Sequence, residues 1–254
     1  MNSFIGWVGG KSRLKKHIIP LIPEDTERYI EVFGGAGWVL FGKGQHPKQM
    51  EVFNDIDSNL INLYKQIKSN CNELQKEVDW LQSRELFNEY RHQIESNVKL
   101  TDLQRAARYL YIIKCSFGST KTSFATAPKG VNGIIDKLPD YQKRLSKVII
   151  ENRDFEQLIK TYDRPKALFY LDPPYVETEK YYTAFDFKTS DHERLNAVLK
   201  TIKGRFILSY NDCNYIRELY KDFNIIEVSR VNLLSSNTNN RSDFKEVIIT
   251  NFTK

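Results

Sequence analysis

The residues best placed to do chemistry are Asp172-Pro173-Pro174-Tyr175, which follow the apolar run Ala167-Leu168-Phe169-Tyr170-Leu171. That run reads as a buried parallel strand ending in a turn. Ligands of open α/β sheets bind just outside the carboxyl ends of strands, where this tetrapeptide falls. Two consecutive prolines fix φ and remove two backbone donors, so the local carbonyls have no neighbouring amide competing for them. A carboxylate, a rigid run of carbonyls and an aromatic face make a holder for a planar base that carries an amino group. An ordinary proline turn at a strand end is the competing reading. The rest of the chain weighs against it.

Two glycine-rich loops precede this site. Phe4-Ile5-Gly6-Trp7-Val8-Gly9-Gly10-Lys11 leads into a helix expected over residues 12–21, ended by Pro20 and Pro23. Arg28 to Phe33 reads as a strand, broken by Gly34-Gly35-Ala36-Gly37 and followed by an apolar run through Phe41. Strand, glycine turn and helix in this order bring backbone amides and a helix start close to a cofactor. Met50 to Phe53 reads as the next strand and ends at Asn54-Asp55-Ile56-Asp57. An acidic side chain there, about 20 residues past the glycine turn, takes ribose hydroxyls in a Rossmann-like site.

The elements that position these residues alternate along most of the chain. Strands are expected at 147–151, 167–171, 205–210, 223–230 and 244–251. From about Leu60 to Tyr111 the texture is helical instead, with a helix start at Thr101-Asp102 and a stripe of Ala106, Ala107, Leu110 and Ile113. A loop of small residues follows, Ser116 to Phe124, with Lys121 set among Phe117 and Phe124. The pattern predicts an α/β fold, a Rossmann-like sheet interrupted by a helical insert. Its boundaries fall at 1–64 and 149–254 for the catalytic domain and 65–148 for the insert.

Charge marks the same insert. Residues 101–150 hold nine Lys/Arg against three Asp/Glu, which accounts for the whole net charge of +6. Concentrated positive charge is what phosphate contacts require, although a solvated basic face would look the same. On this reading Arg105, Arg108, Lys114 and Lys121 are the positive contacts to a DNA duplex, with Lys121 placed to reach a groove edge and Ser119 to Ser123 nearest the bases. Three scattered cysteines and four scattered histidines show no metal-ligand spacing, so no metal is expected. No stretch has the length of a membrane span and no signal-peptide region is seen, so a cytoplasmic location and no membrane partner are expected.

Taken together, these motifs resemble the Dam-type (D12 class, alpha-group) DNA adenine N6-methyltransferases. The family's opening motif is similar to Gly6-Trp7-Val8-Gly9-Gly10-Lys11. Its S-adenosylmethionine (AdoMet) loop is similar to Glu31-Val32-Phe33-Gly34-Gly35-Ala36-Gly37, with Val32 where the family has proline, and its acidic motif to Asn54 through Tyr64. Asp172 to Tyr175 match the catalytic motif, Ile207 to Asp212 look like a wall of the base pocket, and Glu246 to Asn251 like the closing strand. The resemblance implies AdoMet as methyl donor, contacted by Trp7, Lys11, Asp55 and Asp172. It also implies that Phe33, Gly34, Gly35 and Gly37 line that site and that Phe155 packs on the cofactor's adenine. Segment 114–132 departs from the Asn- and Arg-rich recognition loop of the well-studied enteric enzymes and is closer to phage-borne members.

The resemblance implies site-specific methylation of N6 of a flipped-out adenine in double-stranded DNA. A monomer is the default expectation, acting in a bacterial or phage-infected cell, with a cognate restriction endonuclease as a possible partner. The amine's lone pair is delocalised into the ring. Hydrogen bonds from its N–H groups to Asp172 and to the Pro173 carbonyl draw the nitrogen toward tetrahedral geometry, while Tyr175 stacks on the base. An RNA adenine or guanine methyltransferase, a protein glutamine methyltransferase and a catalytically silent DNA-binding relative are the competing readings. The mid-chain insert, the Asp in place of Asn at 172, and the intact Lys11, Asp55, Asp172 and Tyr175 weigh against these in turn.

Overall fold

Apolar runs of four to seven residues form the strands, and the periodic polar segments between them form helices, in a computed structural model that describes residues 1–96, 98–176, 187–230 and 244–253. The first half contains α1 (Lys15–Ile18), β1 (Arg28–Glu31), α2 (Trp38–Gly42), β2 (Met50–Asn54), α3 (Ser58–Ser69), α4 (Cys71–Glu77), α5 (Arg84–Glu95) and α6 (Asp102–Cys115). After it come α7 (Asn132–Ile135), α8 (Leu138–Leu145), β3 (Val148–Glu151), α9 (Phe155–Tyr162) and β4 (Ala167–Leu171). The chain ends with α10 (Thr189–Leu199), β5 (Arg205–Asn211), α11 (Asn214–Leu219), β6 (Asn224–Arg230) and β7 (Phe244–Thr250). This seven-stranded, mostly parallel α/β architecture is the Rossmann-like one expected.

The residues pack into two compact units, Met1–Lys15 with Gly34–Arg153 and Lys16–Phe33 with Asp154–Lys254. In the second unit the strand order is β1-β4-β5-β7-β6, parallel through β5 and antiparallel from β5 to β7 and β6. All five residues of β4 are buried, as a strand covered on both faces requires. Its carboxyl end therefore presents Asp172 from a rigid base.

In the first unit β2 pairs parallel with β3, and α3, α5 and α6 pack together. The expected stripe of Ala106, Ala107, Leu110 and Ile113 is buried along α6. That helix opens with a capping box in which Thr101 and Gln104 each bond the other's backbone amide. The helix expected over 12–21 is shorter than predicted: α1 stops at Ile18 and passes into a 3-10 turn over Ile19–Leu21. Pro20 explains the change, since it has no N–H to donate back along an α-helix and its ring crowds the preceding turn.

A buried ion cluster joins three elements of this unit. Glu51 on β2 is 2% exposed and accepts bonds from Lys43 and from both terminal nitrogens of Arg144, at 2.7 and 2.9 Å. Arg144 also donates to the Leu40 carbonyl at 2.7 Å, which ties α8 to α2. Among the described residues no helix is long and apolar enough to cross a membrane, and no group of three His, Cys, Asp or Glu is placed to hold a metal ion. Replacing Glu51 by Ala strands two buried cations, so denaturant unfolding should show a loss of about 3–5 kcal/mol, against about 1 kcal/mol for an exposed ion pair.

Candidate active site

The glycine turn and Asp55 form one construction. The Gly34 amide donates to the Asn54 carbonyl at 2.7 Å. The Gly35 and Asp57 amides then donate to Asp55 Oδ2 and Oδ1, at 2.8 and 2.9 Å. The turn comes this close because it has no side chains. A Cβ on Gly34 would lie 2.4 Å from the Phe53 ring, and one on Gly35, where φ is 48°, would lie 2.9 Å from Trp7 Cδ1. A carboxylate has about four lone-pair positions. Two of those on Asp55 face amides, which leaves one on each oxygen for a neighbouring pair of hydroxyls. Burial pushes the Asp55 carboxyl up to about 6, with the nearby Asp57 carboxylate adding to the rise and the two amides and Lys121 opposing it.

Asp57 has other work. Its Oδ1 caps α3 by accepting the Asn59 and Leu60 amides at 3.0 and 3.1 Å, and its Oδ2 accepts the Tyr109 hydroxyl. Tyr64, on the helix so capped, donates to the Gly35 carbonyl at 3.2 Å. In the Gly6–Lys11 loop, the Gly10 amide donates to the Trp7 carbonyl at 3.0 Å and Gly9 has a φ of 74°. Lys11 is 4% exposed and its Nζ donates to the Gly9 carbonyl at 2.7 Å. The sequence named Trp7, Lys11 and Asp55 and placed Tyr64 at the end of the acidic motif without a role, but missed Tyr109, whose hydroxyl carries no motif signal.

The Asp172–Tyr175 tetrapeptide belongs to the second unit. Ser209 on β5 donates to Asp172 Oδ1 at 2.9 Å. Pro173 and Tyr175 are buried and Pro174 is half-buried. The Tyr175 hydroxyl donates to Glu246 Oε1 at 3.2 Å, and its ring lies 6.0 Å from that of Tyr210. Burial, with the Asp172 and Glu246 carboxylates nearby, holds the Tyr175 phenol far above its ordinary range, so it stays a donor. Asn211, which pairs with Glu246 in the β5–β7 register, donates to the Val176 carbonyl at 3.4 Å. Ser209, Asn211 and Glu246 lie in segments the resemblance marked, but their individual bonds were not anticipated. The available signal was the period of two that puts Ser209 and Asn211 on one face of their strand.

Phe33 and Phe155, named from the sequence, do meet, with ring centroids 5.7 Å apart. Phe187 joins them at 5.9 and 6.0 Å, and the Arg194 guanidinium lies 4.2 Å over Phe155 while paired to Asp154. Neither Phe187 nor Arg194 was singled out from sequence.

The six residues assigned to DNA have varied surroundings. Arg105 pairs with Asp102 at 2.6 Å, and the Arg108 guanidinium lies 5.2 Å over the Tyr90 ring. Burial lowers the Lys114 ammonium below its usual range, with Lys129 and Lys137 adding to the shift. Ser123 is exposed, and Phe117 in the same loop is 70% exposed. Ser119 packs on the Gly6 loop, where its Oγ lies 2.2 Å from the place a Gly6 Cβ would take. The Lys121 side chain turns inward, with Nζ 2.9 Å from Tyr109 Oη and 4.3 Å from the centre of the Trp7 ring.

A Rossmann-like sheet with Asp-Pro-Pro-Tyr closing a buried parallel strand, and a glycine turn clasping an acidic side chain after the next strand, defines an AdoMet-dependent amino-methyltransferase. The chain matches the model of the D12 class N6 adenine-specific DNA methyltransferases over residues 7–232 and belongs to that family. It is 31% identical to a Type II methyltransferase, M1.LlaDCHI, of Lactococcus lactis subsp. cremoris, over 99% of this chain and 96% of that one. It is 26% identical to a Type II methyltransferase, M.CviBI, of Paramecium bursaria Chlorella virus NC1A, over 88% of each. A DNA adenine methylase of Haemophilus influenzae is 24% identical over 96% of this chain and 92% of its own length. The protein is an adenine-specific DNA methyltransferase, and the family brings AdoMet as the donor.

The construction around Asp55 has a direct spectroscopic consequence. In a carbon-13 NMR titration of the ligand-free protein, the Asp55 carboxyl should titrate near 6. Asp57→Asn keeps a competent helix cap, and should bring that midpoint down while leaving it above an ordinary aspartate's, because burial is the larger cause.

Proposed function

We propose that the protein transfers a methyl group from AdoMet to N6 of an adenine flipped out of double-stranded DNA, with Asp172, Pro173, Pro174 and Tyr175 as the catalytic set. The observation that carries this reading is the Asp172 carboxylate, fixed by Ser209 at the end of a fully buried strand. Ser209 donates to one carboxylate oxygen and so holds the Asp172 side chain in place. Asp172 and the Pro173 carbonyl each accept one N–H of the target amine, which localises its lone pair on nitrogen. As that nitrogen becomes cationic, the Asp172 carboxylate stabilises the developing charge, which is discharged when the methylated nitrogen loses one N–H proton. The Tyr175 ring stacks on the base, worth ~1–3 kcal/mol and a partial offset to unstacking. Its hydroxyl, held by Glu246, anchors the far end of the ring.

Bound AdoMet would supply an electrophilic methyl carried on a sulfonium. The chain's donor set suits that group. The two remaining lone pairs of Asp55 accept the ribose hydroxyls, while Trp7, Lys11, Phe33, Gly34, Gly35, Gly37 and Asp172 line the remainder of the site. Phe155, in its cluster of rings, packs on the adenine. Segment 65–148 is the target-recognition insert, with Arg105, Arg108 and Lys114 the cations nearest phosphate. The protein works as a cytoplasmic monomer without a metal, beside a cognate restriction endonuclease. The Type II names of two relatives support that last point.

Two variants test the assigned roles. Asp172→Ala should abolish methyl transfer from labelled AdoMet while its thermal unfolding stays near that of the parent, and near-normal turnover would remove Asp172 from the reaction. Asp55→Ala should weaken AdoMet at least tenfold in calorimetry, since each hydrogen bond to a charged group is worth roughly 1.5–3 kcal/mol. Hydroxyl donors favour the ionised Asp55 and lower its pKa, so AdoMet binding should release a proton in the range from about 4 up to about 6. Affinity should therefore be full at neutral pH and fall as pH drops through about 6. An affinity unchanged down to pH of about 5 would contradict the role, since the carboxyl is then largely protonated.

A further inference from the structure

Lys121 has a role that the charge pattern of the insert does not suggest. It belongs to the loop over 116–124, yet its ammonium is aimed at the residues around Asp55 and Trp7. Nζ donates to Tyr109 Oη at 2.9 Å, stands 3.7 Å from Asp57 Oδ2 and sits 4.3 Å from the centre of the Trp7 ring. Tyr109 passes the contact on by donating its own proton to Asp57 Oδ2. Asp57 caps α3, and Tyr64 of α3 reaches the carbonyl of Gly35, whose amide holds Asp55. One connected chain of bonds thus runs from the loop to the glycine turn.

The loop backbone agrees with this arrangement. Ser119 and Lys121, with φ of 58° and 66°, are the only non-glycine residues with positive φ among those described. Such conformations are disfavoured for L-residues and persist where the surroundings hold them. Ser119 is held by its seat on Gly6, and Lys121 by its three contacts. A lysine that served only to neutralise phosphate would need neither.

We propose that Lys121 is a positioning residue that latches the recognition loop onto the AdoMet-binding loops, so that the seated loop and the AdoMet-ready arrangement of Trp7 and Asp55 form one state. The inference rests on the reading of Trp7 and Asp55 as AdoMet contacts and of 116–124 as the DNA-facing loop. AdoMet and DNA then strengthen each other's binding, and linkage requires the factor to be the same in both directions. The cation is what joins the two, because both the ring face and the Tyr109–Asp57 pair attract positive charge.

Lys121→Met keeps an unbranched side chain against Trp7 and removes the charge. AdoMet affinity would be measured by calorimetry with and without a duplex, and duplex affinity with and without the product S-adenosylhomocysteine, across a salt series. The parent should show mutual enhancement of about fivefold or more. In Lys121→Met that factor should fall to about one, AdoMet affinity should drop several-fold, and the salt slope of DNA binding should not change, while Lys121→Arg should restore most of the enhancement. Should Lys121→Met unfold, Tyr109→Phe, which removes only the relaying hydroxyl, should show the same loss in part. A salt slope reduced by about one unit with AdoMet affinity intact would make Lys121 a phosphate contact and overturn the proposal. Absence of enhancement in the parent would overturn it as well. Failure of the underlying reading shows elsewhere, in an Asp55→Ala variant that binds AdoMet normally.

Discussion

Two backbone amides aimed at one carboxylate organise the first unit. Asp55 can be held by the Gly35 and Asp57 amides only if the chain after β1 turns with no side chain between it and the end of β2. Glycine at 34 and 35 meets that demand, because the space a Cβ would fill is taken by Phe53 and Trp7. The bonds leave Asp55 ionisable though costly to ionise, since burial outweighs the amides and raises its pKa. A carboxylate in that condition gains from any ligand that donates further hydrogen bonds. The same demand puts Asp57 at the start of α3, so the acidic pair divides its labour. One residue is clasped by two amides and its neighbour caps the helix.

The second unit answers a different requirement, to hold a carboxylate and an aromatic ring still at a strand end. β4 is buried along its length, and Pro173 and Pro174 stiffen the chain that leaves it. Ser209 and Glu246, on two adjacent strands, then fix the two ends of the tetrapeptide by Asp172 and Tyr175. The supporting residues are thus strand residues whose geometry is set by pairing register. Sites held this way keep their orientation better than sites built on loops alone.

Much of this was legible in the amino-acid order. The strands at 28–31, 50–54, 148–151 and 167–171 follow apolar runs, and α6 follows its capping box and its stripe of alanine and aliphatic residues. The glycine turn, Asp55 and Asp172 to Tyr175 declare themselves because their chemistry needs particular residue types at strand ends. What stayed hidden depends on long-range contact. Tyr109 meets Asp57 across 52 residues and Tyr175 meets Glu246 across 71, and no local pattern marks a tyrosine as a relay. Lys121 shows the same limit from the other side. Counted as charge it belongs with the basic insert, but the turn of its backbone sends its ammonium to Trp7.

The claim at the centre of this account is that the tetrapeptide activates the exocyclic amine of adenine in DNA. Its most direct test is product analysis. Duplex DNA and RNA of matched sequence would be incubated with isotopically labelled AdoMet, digested to nucleosides and resolved by mass spectrometry. The label should appear in N6-methyldeoxyadenosine from DNA and nowhere in the RNA digest. Label in RNA, or on a deoxycytidine, would contradict it.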